Sequence, residues 1–209
     1  EIIIVDDFSD EKTKEIISKN YKNKSAISGF FNSGDIRVIE TTKNEGQLGA
    51  FLQGLKVSRG EFVCMIDADD VLLEDYLSVL LQAHMNTSVA FVSAAQCEID
   101  ENSTIHCLNS LSSPTFKNVG GVYKKLSADK IFNSDFSEYE VKQVSDKICP
   151  FGPWCWNSTT SAMMRRSALE FILLYKDVEN YKTGADKFIF TFLHLLGPSA
   201  VVSRPLFAY

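Results

Sequence analysis

Short apolar runs alternate along this chain with acidic or glycine-bearing turns, and the rhythm changes about halfway. The first run, Ile2-Ile3-Ile4-Val5, is continuous and β-branched, as expected of a strand buried on both faces of a parallel sheet. Asp6-Asp7-Phe8-Ser9-Asp10 stops it, and Glu11–Asn20 is predicted as a helix with Ser9 or Asp10 at its N-cap. Residues 21–35 carry Asn, Ser and Gly and read as loop, and Ile36–Ile39 reads as a second strand. After a turn over Thr41–Gly46, Gln47–Val57 is predicted helical. Gly46, Gly49, Ala50, Gln53 and Gly54 form one stripe of this unit, and Leu48, Phe51, Leu52 and Leu55 another. A glycine costs about 1 kcal/mol against alanine inside a helix. The small stripe therefore points to close approach, either by a ligand or by a packed backbone. Phe62–Ile66 is a third strand, stopped by Asp67-Ala68-Asp69-Asp70, then Leu73–Met85 an amphipathic helix and Val89–Ala94 a fourth strand.

Strand and helix thus alternate through the first half, which predicts an α/β fold with a mostly parallel central sheet. From about Cys97 to Pro150 the periodicity fades. Order returns with a strand over Thr159–Met164, helices over Arg166–Leu174 and Asp186–Leu195, and a strand over Ala200–Val202. With 209 residues the chain has the length of one sizeable domain. Two functional halves are expected within it, residues 1–96 for a nucleotide sugar and residues 97–209 for an acceptor. A buried strand that begins directly behind Glu1, with no start methionine, is expected of an excised fragment whose own first strand lies upstream.

Composition narrows the function. The chain is 45% hydrophobic and 23% charged, with a net charge of −6. That balance fits a globular protein and argues against a nucleic-acid partner, which calls for a basic patch. The five cysteines are odd in number and contain no Cys-x-x-Cys pair, so neither a zinc cluster nor a disulfide framework is expected. Reduced thiols suit a cytoplasmic setting, and the inner face of a membrane is the alternative place within it. No apolar run reaches the roughly 18–20 residues of a transmembrane segment.

The candidate chemistry lies in two acidic clusters, Asp6-Asp7 after the first strand and Asp67-Ala68-Asp69-Asp70 after the third. In an open parallel sheet, ligands bind beyond the carboxyl ends of the strands. Crowded carboxylates repel one another unless a cation intervenes. Mg²⁺ or Mn²⁺ resolves that conflict by bridging one or two carboxylates to substrate phosphates. Turn formation and helix capping are the competing explanations of the same residues.

Three blocks in order, Val5-Asp6-Asp7-Phe8-Ser9, Asn44-Glu45-Gly46-Gln47-Leu48-Gly49-Ala50 and Arg59-Gly60-Glu61-Phe62 leading into Asp67-Ala68-Asp69-Asp70, resemble the family 2 glycosyltransferases of the GT-A fold. Ser158–Ala168 resembles that family's acceptor-side strand and helix more loosely. The family's usual opening strand is missing here, which would leave donor binding weak or absent in the fragment. The resemblance implies that Asp7, with Asp6, Asn44 and Gly46, contacts the nucleotide. It places Asp67 near the ribose or the metal shell, and makes Asp69, the second acid of an Asp-x-Asp pattern, the ligand of Mn²⁺ or Mg²⁺. The donor would be a nucleoside-diphosphate sugar, a UDP-sugar foremost, and the acceptor a carbohydrate or glycoconjugate, in polysaccharide or glycoconjugate biosynthesis.

A transferase of this type needs a general base for the acceptor hydroxyl. The family supplies it from an acidic pair at the start of a late helix. Here the matching pair is Ala185-Asp186, which leaves Asp186 as the base and predicts single displacement with inversion. Trp154, Trp156 and His194 are candidates for the acceptor side. An aromatic face can stack on a sugar ring, but tryptophan is as readily a core residue, and so is a lone histidine on a helix. Two other functions compete. A decayed, non-catalytic glycan- or partner-binding module would suit Ala185, and a sugar-phosphate nucleotidyltransferase would use a related sheet.

Overall fold

The computed structural model describes residues 1–22, 36–101, 105–109, 141–144, 155–175 and 184–209. Contacts divide the chain into two compact units, Glu1–Glu61 with Glu170–Ala185, and Phe62–Leu169 with Asp186–Tyr209. Packing draws its boundary at Glu61, whereas the division expected between residues 96 and 97 is one of ligand roles.

In the first unit, strands β1 (Ile2–Asp6) and β2 (Ile36–Glu40) run parallel, in register from Ile2 beside Ile36 to Asp6 beside Glu40. Helix α1 (Glu11–Ile17) follows β1, and the Asp10 side chain caps it by accepting the Thr13 amide at 2.8 Å. The helical region predicted to Asn20 relaxes into a π-turn, Ser18–Lys22. Helix α2 (Gly46–Val57) buries Leu48, Phe51, Leu52 and Leu55, as its apolar stripe predicts. The small stripe has a packing explanation at Gly54, where an added Cβ would meet Val5 Cγ2 at 3.2 Å. A side chain there would require Val5 to give way by a few tenths of an ångström.

The second unit is built on one sheet in the order β3 (Phe62–Cys64), β8 (Ala162–Arg165), β5 (Phe91–Ile99), β9 (Ser199–Ala208) and β4 (Val71–Leu72). Two further strands join it, β6 (Ile105–Asn109) on β5 and β7 (Val141–Val144) on β9. Strands β5 and β9 pair in parallel, while β8 pairs antiparallel with both β3 and β5. Hence β3, β5 and β9 share one direction. Helix α3 (Tyr76–Asn86) turns Tyr76, Val79, Leu80, Ala83 and His84 inward, where a core forms with Val92, Ala94, Ala200, Val202 and Phe207. Helix α5 (Ala185–Leu196) buries Ile189, Phe190 and Leu193, and Phe190 stacks on Phe91.

The α/β class and the GT-A-like mixture of sheet and helix agree with expectation, but several boundaries differ. β5 continues to Ile99 because its ladder with β6 and β9 carries it past the point where polar Gln96 and Glu98 interrupt the apolar run. β9 extends from the predicted Ala200–Val202 to Ala208, and a register shift opposite Ala95 accommodates Pro205, as a proline lacking an N–H requires. Thr159–Ser161 forms a 3-10 turn rather than the start of a strand. The helix predicted over Arg166–Leu174 divides into α4 (Arg166–Leu169) and a 3-10 turn, Ile172–Leu174. No described helix is long and apolar enough to cross a membrane.

Candidate functional site

In the first unit the alternation of the strand separates the two acids that end β1. Asp6 is buried, and its Oδ1 accepts the Ser9 amide at 3.1 Å. Its carbonyl accepts the Thr41 amide at 3.0 Å. Asp6 thereby holds the turn that leaves the strand, the turn-forming alternative for this residue. Phe8 in that turn has φ of 66°, a strained conformation for an aromatic residue.

Asp7 lies on the other side of the pleat. Its Oδ1 accepts the Glu45 amide at 2.8 Å and the Thr41 hydroxyl at 3.0 Å, and its Oδ2 accepts the Gly46 amide at 2.7 Å. Asn44 Oδ1 shares the Gly46 amide at 3.1 Å. Helix α2 has no side-chain cap of its own from Glu45, so Asp7 supplies one from β1. A carboxylate suits this place because it meets unpaired amides at the positive end of the helix dipole. Gly46 has φ of 75°, the left-handed region that glycine enters at least cost. A carboxylate has about four acceptor positions, and these bonds take three of them. Asp7, Asn44 and Gly46 thus come together, and Thr41 joins them.

In the second unit, Asp67–Asp70 forms a tight turn beyond β3, closed by the Asp70 amide donating to the Asp67 carbonyl at 3.2 Å. Ala68 and Asp69 occupy its exposed corners. Among the described residues Asp69 has no hydrogen bond or ion pair. Asp70 is turned inward, and among the described residues both its buried carboxylate oxygens lack a partner in hydrogen-bonding geometry. Burial pushes its pKa up, the Thr160 hydroxyl nearby partly offsets this, and the charges of Asp67 and Asp69 add to the rise. Asp67 is held by Thr159 and Thr160, residues the sequence reading placed in a strand. Their β-branched side chains suit strands, which hid the use of their hydroxyls.

These donors are all oxygens, the ligand type that Mg²⁺ and Mn²⁺ prefer. The unpaired oxygens of Asp70 are groups a cation would satisfy. Among the described residues no three His, Cys, Asp or Glu side chains form a cluster able to hold a metal. A cation at this turn would have at most one or two carboxylates and would need phosphate oxygens to complete its shell.

On α5, Asp186 is half-buried in the first helical turn, next to the fully buried Ala185 and after Gly184, whose φ is 73°. Trp156 and His194 are buried together. Their rings meet edge-on at 5.0 Å. Trp156 Nε1 donates to Ser199 Oγ at 3.0 Å, and that hydroxyl lies 3.2 Å from His194 Nδ1. Core packing accounts for both side chains, the alternative weighed above for each. Trp154 lies outside the described residues. Cys64 and Cys155 are free thiols, pushed by burial up to about 11 and about 12, as fits packed rather than nucleophilic cysteines.

Comparison with known proteins agrees with this architecture. The profile of "Glycosyl transferase family 2" matches residues 1–173. A human dolichyl-phosphate beta-glucosyltransferase is 41% identical over 69 residues, which span 33% of this chain and 19% of that protein. A Campylobacter jejuni GalNAc(5)-diNAcBac-PP-undecaprenol beta-1,3-glucosyltransferase is 35% identical over 82 residues, 39% of this chain and 24% of that one. The crystal structure of S. aureus TarS 1-349 in complex with UDP superimposes over 100% of this chain and 50% of its own, with a TM-score of 0.62 at 20% identity. At that identity the likeness shows the GT-A fold alone. The chain spans about half of that structure and a quarter or less of these curated relatives.

Proposed function

The chain belongs to glycosyl transferase family 2, and from that premise we propose that it moves a sugar from a nucleoside-diphosphate sugar to an acceptor hydroxyl, with inversion and with the help of a divalent cation. The observation that carries this reading is the turn Asp67–Asp70, with Asp69 exposed at its corner and the Asp70 oxygens buried close behind it, without a partner in hydrogen-bonding geometry among the described residues. Such a turn offers oxygen ligands where a diphosphate can complete the shell. A UDP-sugar is the favoured donor, by analogy with the UDP-bound structure of the same fold.

Asp69, supported by Asp67, would hold Mn²⁺ or Mg²⁺, which when bound supplies Lewis-acid stabilisation of the charge developing on the departing diphosphate. Asp7 would accept a hydrogen bond from a donor group of the nucleotide base. Asp186 takes the proton of the attacking hydroxyl as that oxygen bonds to the anomeric carbon. A single displacement needs no second carboxylate as nucleophile, in contrast to double displacement. The acceptor is a carbohydrate or glycoconjugate, and a site at the inner face of a membrane suits the lipid-linked names of two relatives.

The test is donor hydrolysis and transfer by the full-length protein with a panel of nucleotide sugars, with and without Mn²⁺. Thermal-shift titration with nucleoside diphosphates runs alongside, since a bound ligand raises the melting temperature by mass action. A UDP response that needs the metal is expected. No shift and no turnover with any donor would leave the non-catalytic module as the better account.

A further inference from the structure

We propose that Thr159 and Thr160 are positioning residues that set Asp67 for the donor, a role that rests on the proposed transfer reaction. Thr160 Oγ accepts the Asp67 amide at 3.0 Å, and the Thr159 hydroxyl donates to Asp67 Oδ2 at 3.3 Å. Two consecutive hydroxyls thus hold both the backbone and the carboxylate of one acid, across 93 and 92 residues of sequence. Both threonines are essentially fully buried, at 1% and 0% exposure.

The clamp is itself held from behind. The buried Tyr76 hydroxyl donates to the Thr160 carbonyl at 2.7 Å, with the Ala162 carbonyl at 3.4 Å. One residue on, Ser161 Oγ lies 2.8 Å from Ser93 Oγ on β5, and the Asn157 amide donates to that Ser93 oxygen at 3.2 Å. The 3-10 turn Thr159–Ser161 is therefore tied to α3 and β5 by buried hydrogen bonds, a rigid base for the acidic turn. Rigidity has a use here. Asp67 precedes the exposed Asp69 by two residues, and a loose Asp67 would let the whole turn wander. A carboxylate already oriented loses less freedom when a ligand arrives.

The two bonds can be removed separately. In full-length protein, Thr160→Val deletes the acceptor of the Asp67 amide, while Thr160→Ser keeps it. Faster hydrogen exchange at that amide in Thr160→Val, with protection restored in Thr160→Ser, is the expected result; unchanged protection overturns the clamp. Steady-state kinetics then tests its use. Thr159→Val is expected to raise the donor KM roughly tenfold, the scale of a lost hydrogen bond to a charged group, with kcat changed far less and with rescue in Thr159→Ser. A folded Thr159→Val protein with the wild-type donor KM overturns the positioning role. A wild-type protein that turns over no nucleotide sugar defeats the transfer reading instead, and the exchange rates still decide whether the clamp exists.

Discussion

The carboxylate of Asp7 and the backbone amide of Gly46 meet at 2.7 Å although 39 residues separate them in sequence. This bond makes an acid at the tip of β1 the cap of helix α2. Asp7→Ala strips the Glu45 and Gly46 amides of their acceptor and is expected to cost about 1–3 kcal/mol of stability. Gly46→Ala forces a side chain into the left-handed region, at about 1–2 kcal/mol. Urea denaturation of the two variants and the wild type measures both. A fully stable Asp7→Ala protein would show that the cap contributes nothing.

Asp69 differs in kind, because it is exposed and has no bonds among the described residues. Asp69→Asn is therefore expected to leave stability within about 0.5 kcal/mol. It should abolish the Mn²⁺-dependent thermal shift with UDP and lower turnover by about a hundredfold or more. EDTA should remove the same shift from the wild type. A shift that survives both treatments would exclude Asp69 as the metal ligand.

Asp186 is assigned the proton transfer, so its effect should appear in kcat. Asp186→Asn is expected to lower kcat by about 10²–10⁴ while the donor KM stays within a few-fold of wild type. An Asp186→Asn protein that keeps the wild-type kcat would move the base elsewhere. The melting temperature serves as the control for folding, since the residue also sits in the first turn of α5.

His84 predicts a dependence on pH. Its Nε2 lies 2.8 Å from the Met163 carbonyl, so that nitrogen carries the proton, and the buried Nδ1 has no partner among the described residues. Burial holds its pKa below the ordinary 6.5; the bond to Met163 opposes this and the nearby Arg165 adds to it. The unfolded chain therefore binds a proton at a higher pH than the folded one does. Its contribution to stability is complete above about 6.5 and is lost as pH falls from there through the folded value. Unfolding free energies from pH 8 to 5 should fall less steeply for His84→Gln than for the wild type. Parallel curves would refute the assignment.

Much of this was legible along the chain. The strands β1, β2 and β3 and the helices α2, α3 and α5 announce themselves by the spacing of their apolar residues, and both acidic clusters stand where strands stop. The ends of β5 and β9 were not legible. Gln96, Glu98 and Pro205 break the local pattern, and only the neighbouring strands keep those segments extended. Thr159 and Thr160 were hidden for a related reason, since their β-branched shape suits a strand while their hydroxyls bond to Asp67.

The sequence by itself determined the family, the α/β class and the two places where carboxylates collect, because each follows from residue order and local period. Only the tertiary structure decided what each polar side chain does. Asp6 turns inward to close a turn while Asp7 caps α2, and Trp156 and His194 join Ser199 in the core. Those assignments depend on partners distant in sequence, and a hydrogen bond is fixed by distance and direction in space, which no local spacing records.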